Sequence, residues 1–231
     1  MIESESQRIV DDAITSRHSI RAFLSTPISR QDIEQMLEVA ARAPSGSNTQ
    51  PWKAYVLTGS ALKALSREVV EAFMNPETDK LYTEEYRYYP DQWASPYIER
   101  RRTVGLGLYK LLGLGKDDKE GMKRQHAKNF DFFGAPVGMA FTVDRTMNQG
   151  SWLDFGCFLQ NLMVAARGRG LDSCPQAAFN RFHPIIRKHA HIPDSELVIC
   201  CLALGYADMS KIENTLISER EPVAGFTTFI E

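Results

Sequence analysis

The sequence predicts an α+β protein, and three observations predict it. Apolar residues recur at helical spacing in six segments, whereas only three segments read as strands. Helices and strands do not alternate in the way a βαβ array requires. No internal repeat or low-complexity linker divides the chain, so a single domain over residues 1–231 is expected.

The elements follow in order. Ile9, Val10, Ala13 and Ile14 give a short amphipathic helix that ends before Arg17. Ser29 is a plausible N-cap for a second helix, with Ile33, Met36, Leu37 and Ala40 on one face. Pro44 stops that pattern, and Pro44-Ser45-Gly46-Ser47-Asn48 must be a loop. Residues 53–58 read as a strand. Leu62, Leu65, Val69 and Phe73 mark the next helix, capped by Ser60 or a neighbour. From Asn75 to Pro96 the pattern gives way to a polar stretch rich in tyrosine, and loops of that length usually serve as lids or partner contacts. Helical spacing resumes near Ile98–Leu112 and Asp118–Phe130. A buried strand is expected at 137–143, then a long helix carrying Trp152, Phe155, Leu159, Leu162, Met163 and Ala166. A last strand, Glu196 to Leu204, precedes an irregular tail.

Composition narrows the function. The 231 residues are 43% hydrophobic and 24% charged, an ordinary globular balance, and the net charge of −2 advertises neither nucleic acid nor an anionic membrane. The acidic, polar start Met1-Ile2-Glu3-Ser4-Glu5-Ser6 lacks the basic and apolar parts of a secretory signal. No run approaches the roughly 18 apolar residues of a membrane span. Cys157, Cys174, Cys200 and Cys201 form no CxxC pair and read as reduced, mostly buried thiols, so a cytoplasmic protein is expected. No metal site is expected, because no Cys or His has ligand spacing.

Several chemical motifs fail on inspection. Gly105-Leu106-Gly107 lacks the third glycine of a dinucleotide fingerprint, and Gly115-Lys116-Asp117 lacks the hydroxyl residue of a P-loop. There is no nucleophile elbow and no His-Glu-x-x-His pair. His183, His189 and His191 read as solvated histidines. Two segments stand apart. Arg17-His18-Ser19-Ile20-Arg21 offers forked donors and a hydroxyl, the chemistry that suits a phosphate, although a solvated basic turn is an equal reading. Ala43-Pro44-Ser45-Gly46-Ser47-Asn48-Thr49-Gln50-Pro51-Trp52 is stiffened by two prolines and lined with donors and acceptors, the edge a planar heterocycle needs.

Together these segments resemble the nitroreductase family of FMN proteins, which carry an Arg-x-Ser-x-Arg turn and, roughly 25 residues later, a Pro-Ser-x-x-Asn-x-Gln-Pro-Trp loop. Asn129-Phe130 before Ala135-Pro136-Val137, Trp152-x-Asp154-x-Gly156, Gly170-Leu171-Asp172-Ser173-Cys174-Pro175-Gln176 and Leu204-Gly205-Tyr206 extend the likeness along nearly the whole chain. The resemblance implies a three-layer α-β-α fold with a small central mixed or antiparallel sheet. It also implies a domain-interlocked homodimer with FMN at the interface. Arg17, His18, Ser19 and Arg220 would then hold the phosphate, and Arg21 would approach the ribityl chain and pyrimidine edge. Pro44, Ser45, Gly46 and Asn48 would reach the same flavin from the partner. Pro175, Gln176 and Ala177 would line the ring, with Asn129 a weaker candidate. Two departures stand out: Ser218 occupies a position that is often lysine, and Gln176-Ala177-Ala178 replaces a glutamate-glycine pair.

The implied reaction is ping-pong transfer from NADH or NADPH to a small aromatic acceptor, with a nitro group reduced through nitroso to hydroxylamine. No side-chain nucleophile is needed. Substrate choice is expected in an inserted segment at about 75–133, with Tyr86, Tyr88, Trp93 and Phe130 as aromatic walls. Arg100, Arg101 and Arg102 form a basic run that either attracts a carboxylated substrate or is a solvated helix face. Quinone or enone reduction, reductive dehalogenation, and flavin binding with little turnover are the alternative readings.

Overall fold

The first apolar stripe forms a helix that touches the long helix Gln149–Arg167 but leaves most of its apolar face exposed. In the computed structural model, which describes residues 4–231, α1 (Glu5–Thr15) begins at Ser4, whose hydroxyl accepts the Gln7 N–H at 3.1 Å. Its Ile9, Val10 and Ile14 are 59%, 54% and 47% exposed. Helix α2 (Arg30–Ala40) starts at Ser29 as its cap, with the Asp32 N–H donating to Ser29 Oγ at 3.0 Å. It buries Ile33, Met36 and Ala40 against α7 (Gln149–Arg167).

Strand β1 (Lys53–Thr58) runs directly into α3 (Gly59–Met74). Thr58 is the cap residue and makes no side-chain cap bond, so Ser60 is not the cap expected from sequence. Gly59, at φ +54°, turns the chain in one residue, a conformation that side chains resist. Strands β2 (Val137–Asp144), β3 (Asp172–Gln176) and β4 (Glu196–Gly205) complete a sheet of order β1-β2-β4-β3. Every pairing between these strands is antiparallel. Strand β3 was not expected; it carries Asp, Ser, Pro and Gln in five residues, and an edge position tolerates its proline.

Alternation along the sheet builds two cores. On one face Met139, Phe141, Cys200 and Leu202 meet α2 and α7. On the other, Ala140, Cys201 and Ala203 meet α3 and α8 (His183–Ala190). Cys200 and Cys201 therefore face opposite layers, as period-two alternation requires. The result is a three-layer α-β-α arrangement. Among the described residues, no helix is long and apolar enough to cross a membrane.

Helix α8 was also missed, because its histidines read as solvated. The reading needs correction for two of them. His189 Nε2 lies 2.7 Å from Glu68, and His183 Nδ1 sits 3.6 Å from buried Glu85, whereas His191 is the left-handed C-cap at φ 53°. Burial holds the His183 imidazole below its ordinary range.

The inserted segment contains α4 (Pro76–Asp79), α5 (Tyr97–Leu111) and α6 (Lys119–Ala127). Helix α6 stops short of Phe130, and a turn at 128–134 follows. In it Phe132 and Phe133 adopt left-handed φ values of 46° and 55°, a costly conformation for aromatic residues. Gly138 makes room, since a Cβ there would lie 2.8 Å from the Phe132 ring.

Glu85 and Asn180 anchor the tyrosine-rich stretch to the sheet. Asn180 Oδ1 accepts the Glu85 N–H at 3.1 Å, and its Nδ2 donates to the Tyr86 carbonyl at 2.8 Å. The Glu85 carboxylate accepts the Val198 N–H at 2.9 Å, Arg187 Nη2 at 2.7 Å, and a close bond from Arg145. Burial alone pushes this carboxyl up; the Val198 N–H and the two arginines more than reverse it, so it titrates below its ordinary range. Replacing Glu85 with Ala removes the carboxylate partner of the mostly buried Arg187, and removing one partner of a buried pair costs about 3–5 kcal/mol. Thermal unfolding should fall by roughly 6–20 °C in a chain of this length. Because the folded pKa is depressed, the wild-type contribution is complete above the unfolded value of about 4.3 and fades as pH drops through the folded one. Melting curves across pH 3–7 check both points: the gap between Glu85→Ala and wild type should narrow in acid.

Candidate functional site

After α1 the chain crosses the end of the sheet. The Ile20 N–H donates to the Ser173 carbonyl at 3.2 Å, and Ser19 forms a parallel bridge with Ser173. The Phe23 N–H reaches the Phe133 carbonyl at 3.2 Å, and the Leu24 N–H reaches Tyr206 at 2.9 Å. Ile20 is fully buried and fixes this crossing in the core. One side chain ties the turn to the tail. Asn214, 1% exposed, accepts the Arg21 N–H at 2.7 Å through Oδ1. Its Nδ2 donates to the carbonyls of Ala22 at 2.8 Å and Asp208 at 3.0 Å.

This crossing places Arg17 and His18 on the wall of a cavity of about 1130 Å³, with Arg167, Asp172, Ser218 and Arg220 around them. Asp172 is already committed, accepting Arg167 Nη1 at 2.6 Å and the Ala207 N–H at 3.3 Å. Arg17 has no carboxylate partner among the described residues. Its guanidinium is held below its ordinary range, first by burial and next by the like charge of Arg220. Arg220 Nη1 donates only within its own turn, to Ser218 Oγ at 2.7 Å and to the Ser218 and Glu219 carbonyls at 3.0 and 2.9 Å. His18 sits between two carbonyls, Nδ1 3.0 Å from Ser16 O and Nε2 3.1 Å from Asn214 O. Two crowded guanidiniums facing a roomy cavity form a site that an anion relieves, and a phosphate monoester fits that donor set.

Not every residue of the basic turn faces this cavity. Ser19 and Arg21 do not line it, and Arg21 Nη1 folds back to the Ser19 carbonyl at 3.1 Å. Cys174 lies beneath them, its buried thiol pushed up to about 11. Pro44, Ser45, Gly46 and Asn48 are not in the wall either. Their loop is rigid on its own terms. The Gly46 N–H donates to Asp154 Oδ2 at 3.2 Å, and the Gln50 N–H donates to Ser45 Oγ at 3.0 Å. Ser47, Asn48 and Gln50 have φ of 51°, 59° and 47°, a run of left-handed residues that marks strain held in place by its surroundings. Trp52 stacks on Phe158 at 5.0 Å and anchors the loop's end in the core.

Pro175, Gln176 and Ala177 sit where β3 ends. Gln176 is 2% exposed; its Nε2 donates to the Asn129 carbonyl at 2.6 Å, while its buried Oε1 has no partner. Asn129 folds its side chain back to the His126 carbonyl at 2.9 Å, so it meets Gln176 through its backbone.

The aromatic candidates separate into two kinds. Phe130 is fully buried, packed on Phe73, Phe179 and Phe182, and has no surface left for a ligand. Tyr86 is an anchor: its hydroxyl donates to the Ile199 carbonyl at 2.6 Å and its ring meets Trp152 edge-on at 4.6 Å. Both were expected as substrate walls, because spacing alone does not tell a buried aromatic from a presented one. Tyr88 and Trp93 remain presented, joined by Tyr89, whose ring lies 4.7 Å from Tyr88 and 5.1 Å from Trp93. Asn214 and Arg167 were not expected at all, and Asp154, noted only within the Trp152-x-Asp154-x-Gly156 likeness, was given no role. Asn214 in particular is a lone amide in an irregular tail, and nothing in its local pattern signals a clamp.

The nitroreductase family model matches residues 14–206. The chain is 45% identical over 220 residues to a 4-nitrobenzoate reductase of Pseudomonas putida, covering 95% of each chain. It is 40% identical over 222 residues to a chloronitrobenzene nitroreductase of Comamonas testosteroni, covering 96% of each. Among solved structures, the FMN and NADPH-dependent nitroreductase NfnB from Sphigopyxis sp. strain HMH superposes with a TM-score of 0.91 at 33% identity, over 96% of this chain and 99% of that one. With the basic turn, the rigid Pro-Ser loop and the three-layer fold agreeing with these likenesses, the chain belongs to the nitroreductase family.

Proposed function

We propose that this protein is an FMN-dependent oxidoreductase that uses NADPH or NADH to reduce nitroaromatic compounds, 4-nitrobenzoate foremost, through nitroso to hydroxylamine products. The observation that carries the reading is the half-buried Arg17, crowded by Arg220 and lacking a carboxylate partner among the described residues. The 45% identity to a 4-nitrobenzoate reductase supports the choice of acceptor.

Arg17 and Arg220 would hold the FMN phosphate with forked donors, with His18 and Ser19 beside them. Ser218 replaces a lysine by positioning: its Oγ accepts from Arg220 Nη1 at 2.7 Å and aims that guanidinium. Pro175, Gln176 and Ala177 would border the ring, and Arg21 would offset negative charge at its pyrimidine edge. When bound, the isoalloxazine supplies the redox chemistry, taking hydride from nicotinamide and passing electrons to the acceptor. Water would supply the protons.

The active form would be a homodimer, with Pro44, Ser45, Gly46 and Asn48 of each protomer completing the partner's flavin site. Four features support this. The α1 stripe is uncovered, and the tail exposes Ile217, Phe226, Phe229 and Ile230 at 75%, 68%, 80% and 93%. Strand β1 is paired on one side only. Beside it lies a groove of about 930 Å³ whose apolar wall includes Ile28, Leu37, Val56 and Pro136 and whose rim carries Arg30, Glu34, Lys63 and Asp131.

Two experiments follow. With FMN, NADPH and 4-nitrobenzoate, the purified protein should consume two NADPH per acceptor and yield the hydroxylamine, identified by mass spectrometry. Reduction of quinones but not nitroarenes would contradict the reading. Arg17→Ala or Arg220→Ala should weaken FMN binding at least tenfold, since charge-assisted bonds contribute about 1.5–3 kcal/mol. Riboflavin, which lacks the phosphate, should bind wild type and variants alike in fluorescence titrations. Equal losses for both flavins would place these arginines elsewhere.

A further inference from the structure

The basic run Arg100-Arg101-Arg102 divides three ways. Arg100 Nη2 pairs with Glu221 at 2.5 Å, and so is already neutralised. Arg102 is exposed and makes no ion pair among the described residues. Arg101 also lacks an acidic partner among them, but its guanidinium is held: its central carbon lies 5.1 Å from the Trp93 ring centroid and 5.5 Å from that of Tyr89. Two aromatic faces orient a cation without cancelling its charge, and at exposed sites such contacts contribute modestly. Elsewhere in the tyrosine-rich stretch, Arg87 is paired with Asp91 at 2.5 Å. Arg101 is thus an oriented guanidinium with its forked edge uncommitted.

Its position is tied to the rigid loop by a chain of contacts. The Gly46 N–H bonds Asp154 in the first turns of α7. In the same turns Trp152 packs on Tyr86, and Tyr86 leads into Tyr88, Tyr89 and Trp93. The Tyr88, Tyr89 and Trp93 cluster under Arg101 thus begins two residues along the chain from Tyr86, whose ring contact with Trp152 reaches the same turns of α7 that bond Gly46. Flat ligands bind such platforms by area burial and offset stacking, and a planar fork suits a carboxylate.

We propose that Arg101 is a specificity-determining residue that selects aromatic carboxylic acids among nitroaromatic acceptors, receiving the carboxylate while the ring lies against Tyr88, Tyr89 and Trp93. This rests on the nitroaromatic reading above and adds the residue that reads the acid group. Neutral nitroarenes share the platform and forgo the ion pair.

The test compares wild type, Arg101→Met, Arg101→Lys and Arg102→Met in the FMN-loaded protein. Two readouts are taken: kcat/KM for 4-nitrobenzoate relative to nitrobenzene, and equilibrium binding of benzoate followed by tryptophan fluorescence. Arg101→Met should lower the acid-to-neutral ratio at least tenfold, chiefly through KM, and weaken benzoate by a similar factor. Arg101→Lys should recover part of both losses, and Arg102→Met should keep the wild-type ratio. Equal losses on acid and neutral substrates, or an unchanged ratio, would overturn the proposal. Benzoate binding decides the matter separately from turnover. If wild type reduces no nitroarene, the catalytic reading fails, while Arg101-dependent benzoate binding still upholds the acid site and its absence removes it.

Discussion

The carboxamide of Asn214 is the constraint on which this end of the molecule depends. It is buried, and both polar atoms are satisfied, one by the Arg21 N–H and the other by the Ala22 and Asp208 carbonyls. Those bonds hold the turn that carries Arg17 and His18 against the segment that leads to Arg220. Two positive groups far apart in sequence are thereby kept at one cavity despite their repulsion. An apolar residue at 214 leaves the Arg21 N–H unpaired, a cost of about 1–3 kcal/mol, while the Ala22 and Asp208 carbonyls keep the N–H groups of Asp208 and Lys211. The binding site and the local fold are thus stabilised by the same contacts.

On the homodimer reading proposed above, what the clamp builds would be half a site. The phosphate-type donors line a cavity in one chain, while the rigid loop at 44–50 presents its strained backbone elsewhere on the surface. The stripe of α1 and the tail have the same character, since each leaves large apolar side chains exposed. In the proposed homodimer a second copy would cover these surfaces, and cofactor binding would then couple to association by mass action. The aromatic platform and Arg101 belong to this second layer of function, where the shared chemistry is given a preference among acceptors.

Sequence patterning was informative where one physical signal dominated. The α2 cap at Ser29, the buried strand β2 and the broad apolar face of α7 all stand close to where periodicity placed them. Opposite facing of Cys200 and Cys201 followed from strand alternation alone. Misses arose where tertiary context overrode local preference. Strand β3 has a composition that disfavours strands and exists because β4 offers it an edge. Phe130 and Tyr86 looked like presented aromatics, yet one is core and the other is pinned by its hydroxyl. The roles of Asn214 and Asp172 depend on contacts across nearly two hundred residues and 35 residues, respectively, which no local pattern records.

The most direct test of the central claim is the visible absorption spectrum of the purified protein after incubation with FMN and removal of excess, recorded anaerobically before and after NADPH. The account predicts one flavin per chain, a flavin band that bleaches with NADPH, and recovery of that band when 4-nitrobenzoate is added. A protein that stays colourless after reconstitution, or a flavin band that neither nicotinamide bleaches, would contradict it.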